Sequence, residues 1–299
     1  MTFKTTDQKE QFQNYPKFYI TNNILFDCIG MGNPKFDGFN GNKESFGYAL
    51  LTYFTSYALN IRRNPFCLDR VYSTYCHREL SEYREILEKL NSKEVDEIIN
   101  EVIQLYEHTQ KALENAELEY VYLRRQIRYQ ERKGINFNLT DKDSYAETLV
   151  MLRKACDELN IKEIQIEMDM LNSFTDEAGF YQDTNKPLCL ELKIPAKDVF
   201  YCSQLIGERK EKSYPVESGE WVILNHAPNG IMTIPVASIK YNETDWNFDN
   251  MIDPKKFIEG YSPIVIRQPY RWPENYPTYG IKLPWKRRLG LYLLDREYE

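Results

Sequence analysis

Histidine is scarce in this chain. His77, His108 and His226 are the only three, and none has a metal-ligand spacing such as H-E-x-x-H. Six cysteines (28, 67, 76, 156, 189 and 202) are scattered without a C-x-x-C pair, which argues against a zinc site or a disulfide frame. The opening segment, "MTFKTTDQKEQFQNYPKF", is polar and has no signal-peptide core. The thiols are therefore expected to be reduced and the location cytoplasmic. No window approaches the roughly 18 uninterrupted apolar residues of a membrane helix. Internal repeats and low-complexity tracts are missing too. Excess positive charge is also lacking. The net charge of −7 excludes a uniformly basic nucleic-acid coat but not a local basic patch.

What remains is a chain of 299 residues, 42% hydrophobic and 14% aromatic, ample for a buried core. Residues 1–44 are polar and hold Gly30, Gly32, Gly38 and Gly41, and they read as an irregular N-terminal arm. "ESFGYALLTYFTSYALNIRR" fits a helix with a broad apolar face, and "RELSEYREILEKL" reads as a second. The clearest helix is "SKEVDEIINEVIQLYEHTQKALENA". There Val95, Ile98, Ile99, Val102, Ile103, Tyr106 and Leu113 recur at helical spacing behind a Ser92 cap.

"EYVYLRRQIRY" then alternates like a strand, and "SYAETLVMLRKACDEL" returns to helix. Strands are expected at 162–172, 188–194, 198–206, 219–225 and 230–236. "WVILNHAPNGIMTIPV" carries a hairpin signal around Asn229-Gly230. Helices first and strands later predict an α+β fold around a mostly antiparallel sheet. The expected division is an arm at 1–44, a main domain at 45–245, and a basic, aromatic extension at 246–299.

"LNSFTDEAGF", residues 171–180, admits two readings. Ser, Thr and Asp are ordinary helix caps, so it can be a strand ending in a helix start. It also lies between two other marked strands. Arg124-Arg125 precede it, and Glu220 follows it at the head of the apolar strand "SGEWVIL". Arg, then Ser-x-Thr, then Glu on successive strands resembles the mono-ADP-ribosyltransferases of the arginine–serine–glutamate class. "YALLTYFTSYALNIRR" is similar to that family's tyrosine-bearing helix, and "ELKIPAKDVFYCSQLI" to its next paired strands. The resemblance covers roughly residues 45–240, and it implies that 45–245 is a catalytic domain whose mostly antiparallel strands form two packed sheets behind a helical N-terminal part.

That resemblance implies NAD as co-substrate; no metal is expected, because no His or acidic residues stand at metal-ligand spacing. An arginine fork clamps a pyrophosphate by charge-assisted hydrogen bonds. The two arginines point to opposite faces of a strand, so one at most enters a cleft; Arg124 matches the family's first arginine. Cleaving the nicotinamide–ribose bond builds positive charge on the ribose, which a carboxylate placed in advance stabilises. Glu220 takes that part, with Ser173 orienting it and Thr175 in support. Phe180, Tyr181 and Phe200 are candidates to stack on nicotinamide. Tyr214, Glu217 and Ser218 would face the acceptor. Many protein-modifying members carry Glu or Gln two residues before the essential glutamate. Here that position is Ser218, with Glu217 one step earlier, which puts arginine-directed transfer in doubt.

The C-terminal "RQPYRWPENYPTYGIKLPWKRR" interleaves Arg267, Arg271, Lys282, Lys286, Arg287 and Arg288 with aromatic rings such as Trp272. Cations can follow phosphates while rings stack bases. The same composition also suits a segment that wraps a core. The leading expectation is a toxin-like transferase, of toxin–antitoxin or phage-defence type. It would move ADP-ribose from NAD to a macromolecule, RNA or DNA ahead of protein, and a neutralising antitoxin would restrain it. The alternatives are NAD glycohydrolysis and a non-catalytic RNA-binding or interaction protein on the same fold.

Overall fold

The structure is a computed structural model, and it describes residues 2–29, 51, 54–61, 90–127, 145–167, 170–176, 188–207, 219–227, 231–241, 253–255 and 265–266. The N-terminal segment departs from the expected irregular arm. It folds into α1 (Thr6–Gln13) and α2 (Asn23–Ile29). Thr5 caps α1 by accepting from the Gln8 amide. The helix then buries Phe12 fully and stacks it on Trp221, centroids 5.2 Å apart. This one buried aromatic anchors α1, and buried Leu25, Phe26 and Ile29 anchor α2, in a segment whose polar composition hides both.

Residues 54–58 are helical and end at Asn60, whose φ of 48 is a left-handed terminator that asparagine tolerates. The predicted second helix, residues 78–89, lies outside the described residues. Helix α3 (Ser92–Asn115) follows the expected period. Its cap is Asn91 rather than Ser92: the Asn91 side chain accepts from Lys93 and Glu94, and Glu94 reaches back to the Asn91 amide. Helix α4 spans Tyr145–Glu158.

The strands are β1 (Tyr120–Ile127), β2 (Glu163–Glu167), β3 (Leu171–Thr175), β4 (Leu188–Pro195), β5 (Val199–Cys202), β6 (Glu220–Leu224), β7 (Ile231–Pro235), β8 (Ile239–Tyr241) and β9 (Val265–Ile266). One sheet has six strands in the order β5-β6-β3-β1-β4-β8, with every neighbouring pair antiparallel. A second sheet has the order β7-β2-β9, with β9 parallel to β2. The fold is a two-sheet α+β arrangement.

Two expectations need correction. Residues 162–172 are not one strand, because β2 and β3 belong to different sheets. Nor do β6 and β7 form a hairpin: β6 pairs with β3, and β7 pairs with β2. The two segments run side by side through both sheets, and Asn225 donates to the Met170 carbonyl at 2.7 Å between them. A local turn preference lost to five cross-strand pairs on each side and to complete burial of Trp221, Val222 and Ile223.

Strand alternation splits the core in two. Val121, Leu123, Phe174, Leu190, Leu192, Trp221 and Ile223 face a cluster shared with Leu149, Val150 and Leu152 of α4. Leu171, Tyr201, Val222 and Leu224 face a second cluster with Val95, Ile98, Val102 and Leu105 of α3. Among the described residues, no helix is long and apolar enough to cross a membrane.

Candidate active site

The strand order makes β3 the neighbour of both β1 and β6. Register then aligns three of the singled-out residues: Arg124 lies opposite Thr175, and Thr175 lies opposite Glu220. Directly opposed residues on antiparallel strands project to the same face. A cation, a hydroxyl and a carboxylate therefore form one row, with a spacing of about 5 Å per strand. Ser173 sits two residues back on the same face, opposite Val222. It is a mid-strand residue, not a helix cap.

The row is polar because the covering cluster ends there. Along this face β3 reads Leu171, Ser173, Thr175, and β6 reads Leu224, Val222, Glu220. The three aliphatic residues pack with α3, and the polar ones lie past that contact.

Glu220 is only 5% exposed. Tyr201 donates its hydroxyl to Glu220 Oε2 at 3.2 Å. The Glu220 amide donates to Ser203 Oγ at 3.0 Å. Gly219, with φ of 88, turns the chain into β6 through a conformation that a side chain would strain. Backbone and carboxylate of Glu220 are thus both held from β5 and the turn after it. Cys202, opposite Trp221, is fully buried; desolvation pushes its thiol far up, so it stays protonated and is no nucleophile.

Arg124 is partly open, and its Nε lies 2.8 Å from Glu191 Oε1 on β4, with side chains 41% and 36% exposed. Arg125 points to the opposite face. It donates from Nη1 to Asn172 Oδ1 at 3.1 Å, and its guanidinium stands 5.9 Å from the Phe174 ring centroid. Arg124, not Arg125, shares a face with Glu220.

Phe200 needs a correction as a stacking candidate. It is 0% exposed and packs edge-on against Tyr201 within the second cluster, so it offers no face to a ligand. Phe180, Tyr181, Tyr214, Glu217, Ser218, Arg271 and Trp272 lie outside the described residues. Tyr201, Ser203 and Glu191 carry no motif that singles them out in the sequence. A bulge between Val199 and Tyr201 also shifts the register there, so counting by twos cannot choose between Phe200 and Tyr201.

A second polar group lies at the far end of β6. His226 Nε2 is 3.4 Å from Asp198 Oδ1. Burial raises the Asp198 carboxyl, and His226 and Lys197 partly offset this. Burial and Asp198 together raise the Tyr106 phenol, whose hydroxyl donates to the Lys197 carbonyl at 2.8 Å. His226 thus has a carboxylate partner.

The row together with Ser173 offers one guanidinium, two hydroxyls and the Glu220 carboxylate on a single face, with Glu191 beside Arg124, and such groups can bind a pyrophosphate and ribose hydroxyls. Among the described residues, no three His, Cys, Asp or Glu side chains gather as a metal site. No protein-family model matches the chain, and neither the curated proteins nor the solved structures show a significant match to it.

Proposed function

We propose that the protein is an NAD-dependent mono-ADP-ribosyltransferase that passes ADP-ribose to a macromolecular acceptor, nucleic acid in preference to protein. The observation that carries this reading is the register Arg124–Thr175–Glu220 across three adjacent strands. Three segments far apart in the chain, each chosen for its residue types, support one reading by meeting on one face.

In this reading Arg124 binds the pyrophosphate, exchanging the exposed Glu191 contact for a doubly charged partner. Ser173 and Thr175 hold the ribose end. Glu220 stabilises the positive charge that grows at the ribose carbon as its bond to nicotinamide breaks. Nicotinamide leaves with the bonding electron pair. A nucleophilic atom of the acceptor bonds to the same carbon, and its proton passes to solvent. Tyr201 and Ser203 position Glu220 and touch no reacting atom. Phe180 and Tyr181 are the remaining stacking candidates. Tyr214, Glu217, Ser218, Arg271 and Trp272 are proposed on the acceptor side. A toxin of this kind implies a neutralising partner and action in the cytoplasm.

The test is incubation with NAD labelled in the adenylate part, followed by separation of RNA, DNA and protein. Label in nucleic acid, lost in Glu220→Gln, is the expected result. Label in protein alone overturns the acceptor preference. Free ADP-ribose with no labelled macromolecule indicates a glycohydrolase. No nicotinamide release under any condition leaves a binding protein on this fold.

A further inference from the structure

The six-stranded sheet is covered unevenly. On the Arg124 face, β5, β6 and β3 contribute Tyr201, Val222, Leu224 and Leu171 to the cluster under α3. Past β1 the described residues of this face are partly or fully exposed. Tyr120 and Tyr122 alternate with buried Val121 and Leu123, so both rings project beside Arg124, and each is 41% exposed. On β4, Lys193 lies opposite Tyr122 and Glu191 opposite Arg124. Lys193 Nζ stands 3.9 Å from the Tyr120 ring centroid. Lys240 of β8, opposite Cys189, adds another exposed cation to this face.

We infer that this open face, centred on Tyr120, Tyr122 and Lys193, binds single-stranded nucleic acid. The occupant follows from charge and shape. Arg124, Lys193 and Lys240 are set against Glu191 alone among the described charged residues of β1, β4 and β8 on this face, in a chain whose net charge is −7. A local cationic surface on an acidic protein suits a polyanion, which meets general repulsion elsewhere. Two rings at i and i+2, about 7 Å apart along a strand, suit bases that stack, while the lysine meets phosphate. The platform is rigid. β1 pairs with β4 over all eight residues, and the Thr2 hydroxyl closes the other edge at Tyr122, donating to its carbonyl at 2.9 Å and accepting from its amide at 3.3 Å. A duplex keeps its bases stacked on each other and cannot use such rings. The inference deepens the proposed function, since it puts the acceptor strand beside Arg124 and Glu220, but its chemistry needs no NAD.

The test measures fluorescence anisotropy of labelled single-stranded 12-mers, one RNA and one DNA, with the full chain and no NAD. Binding in the micromolar range is expected, weakening as salt rises. Tyr120→Ala/Tyr122→Ala should lower affinity at least about tenfold. Tyr120→Phe/Tyr122→Phe should keep it, because a phenyl ring still stacks. Lys193→Ala should weaken binding and reduce the salt slope. Circular dichroism melting controls for folding, which truncation at exposed positions should leave intact. Absence of binding up to about 100 μM overturns the inference. So does an unchanged affinity in the alanine double variant, or equal binding of polyglutamate. Nicotinamide release from NAD is measured separately. If strands bind through the tyrosines but no nicotinamide is released, the enzymatic reading fails and the surface stands. If nicotinamide is released without any strand binding, the surface fails alone.

Discussion

Tyr201 donates its hydroxyl to Glu220 Oε2 at 3.2 Å, and both residues are buried. The bond fixes one oxygen of the carboxylate that the proposed chemistry depends on. Hydrogen bonds to charged groups contribute about 1.5–3 kcal/mol. Tyr201→Phe should therefore lower kcat for nicotinamide release by roughly 10- to 100-fold. The KM for NAD should change little, because the lost contact orients Glu220 and binds nothing. An unchanged kcat would leave Tyr201 as packing only.

Glu191 competes for Arg124. The pair is more than a third exposed on both sides, where such contacts contribute about 0.2–1 kcal/mol. Removing the negative charge frees the guanidinium for phosphate. Glu191→Gln should lower the KM for NAD by up to about fivefold and leave kcat near its original value. A raised KM would mean instead that Glu191 holds Arg124 in its working position.

The N-terminal segment is tied to α3 through Glu101. Its Oε1 accepts from the Thr21 amide and, at 2.7 Å, from Thr21 Oγ1, while Oε2 accepts from the Asn22 amide at 2.8 Å. Glu101 is buried, so Glu101→Ala strands these donors and should destabilise the fold by about 3 kcal/mol. Hydrogen exchange should accelerate first at Thr21, Asn22 and the start of α2. Uniform acceleration across the six-stranded sheet would show a global effect instead.

His108 supplies a pH signature. Its Nε2 lies 2.8 Å from the Pro16 carbonyl, and the Tyr15 and Phe18 rings pack beside it at 5.2 and 5.4 Å. Burial holds its pKa below the ordinary 6.5, with the Pro16 contact opposing and Lys111 reinforcing the shift. The neutral ring is the form the fold prefers. The stabilisation it gives is complete above pH 6.5 and is lost as pH falls through the lowered value. Urea midpoints should drop between about pH 7.5 and pH 5 in the wild type. His108→Gln should flatten that part of the profile.

Much was legible from residue patterns. The α3 period, the β1 alternation and the apolar strand behind Glu220 depend on local spacing, which a chain displays directly. The N-terminal helices were not legible, because a few buried residues, Phe12 in α1 and Leu25, Phe26 and Ile29 in α2, do the anchoring that a polar composition masks. The apparent β6–β7 hairpin misled for a related reason: Asn-Gly reports a local preference, whereas pairing partners are set by burial and by strands far away in the chain.

By itself the sequence determined which residue types stand on which strands, and that Arg124 and Arg125 must diverge. Only the tertiary structure decided that β3 lies between β1 and β6. It alone put Arg124, Thr175 and Glu220 in one row, placed Tyr201 rather than Phe200 against the carboxylate, and left Tyr120 and Tyr122 uncovered. Strand neighbours and register are non-local. They follow from how two apolar clusters close against α3 and α4, and no window of the sequence contains that information.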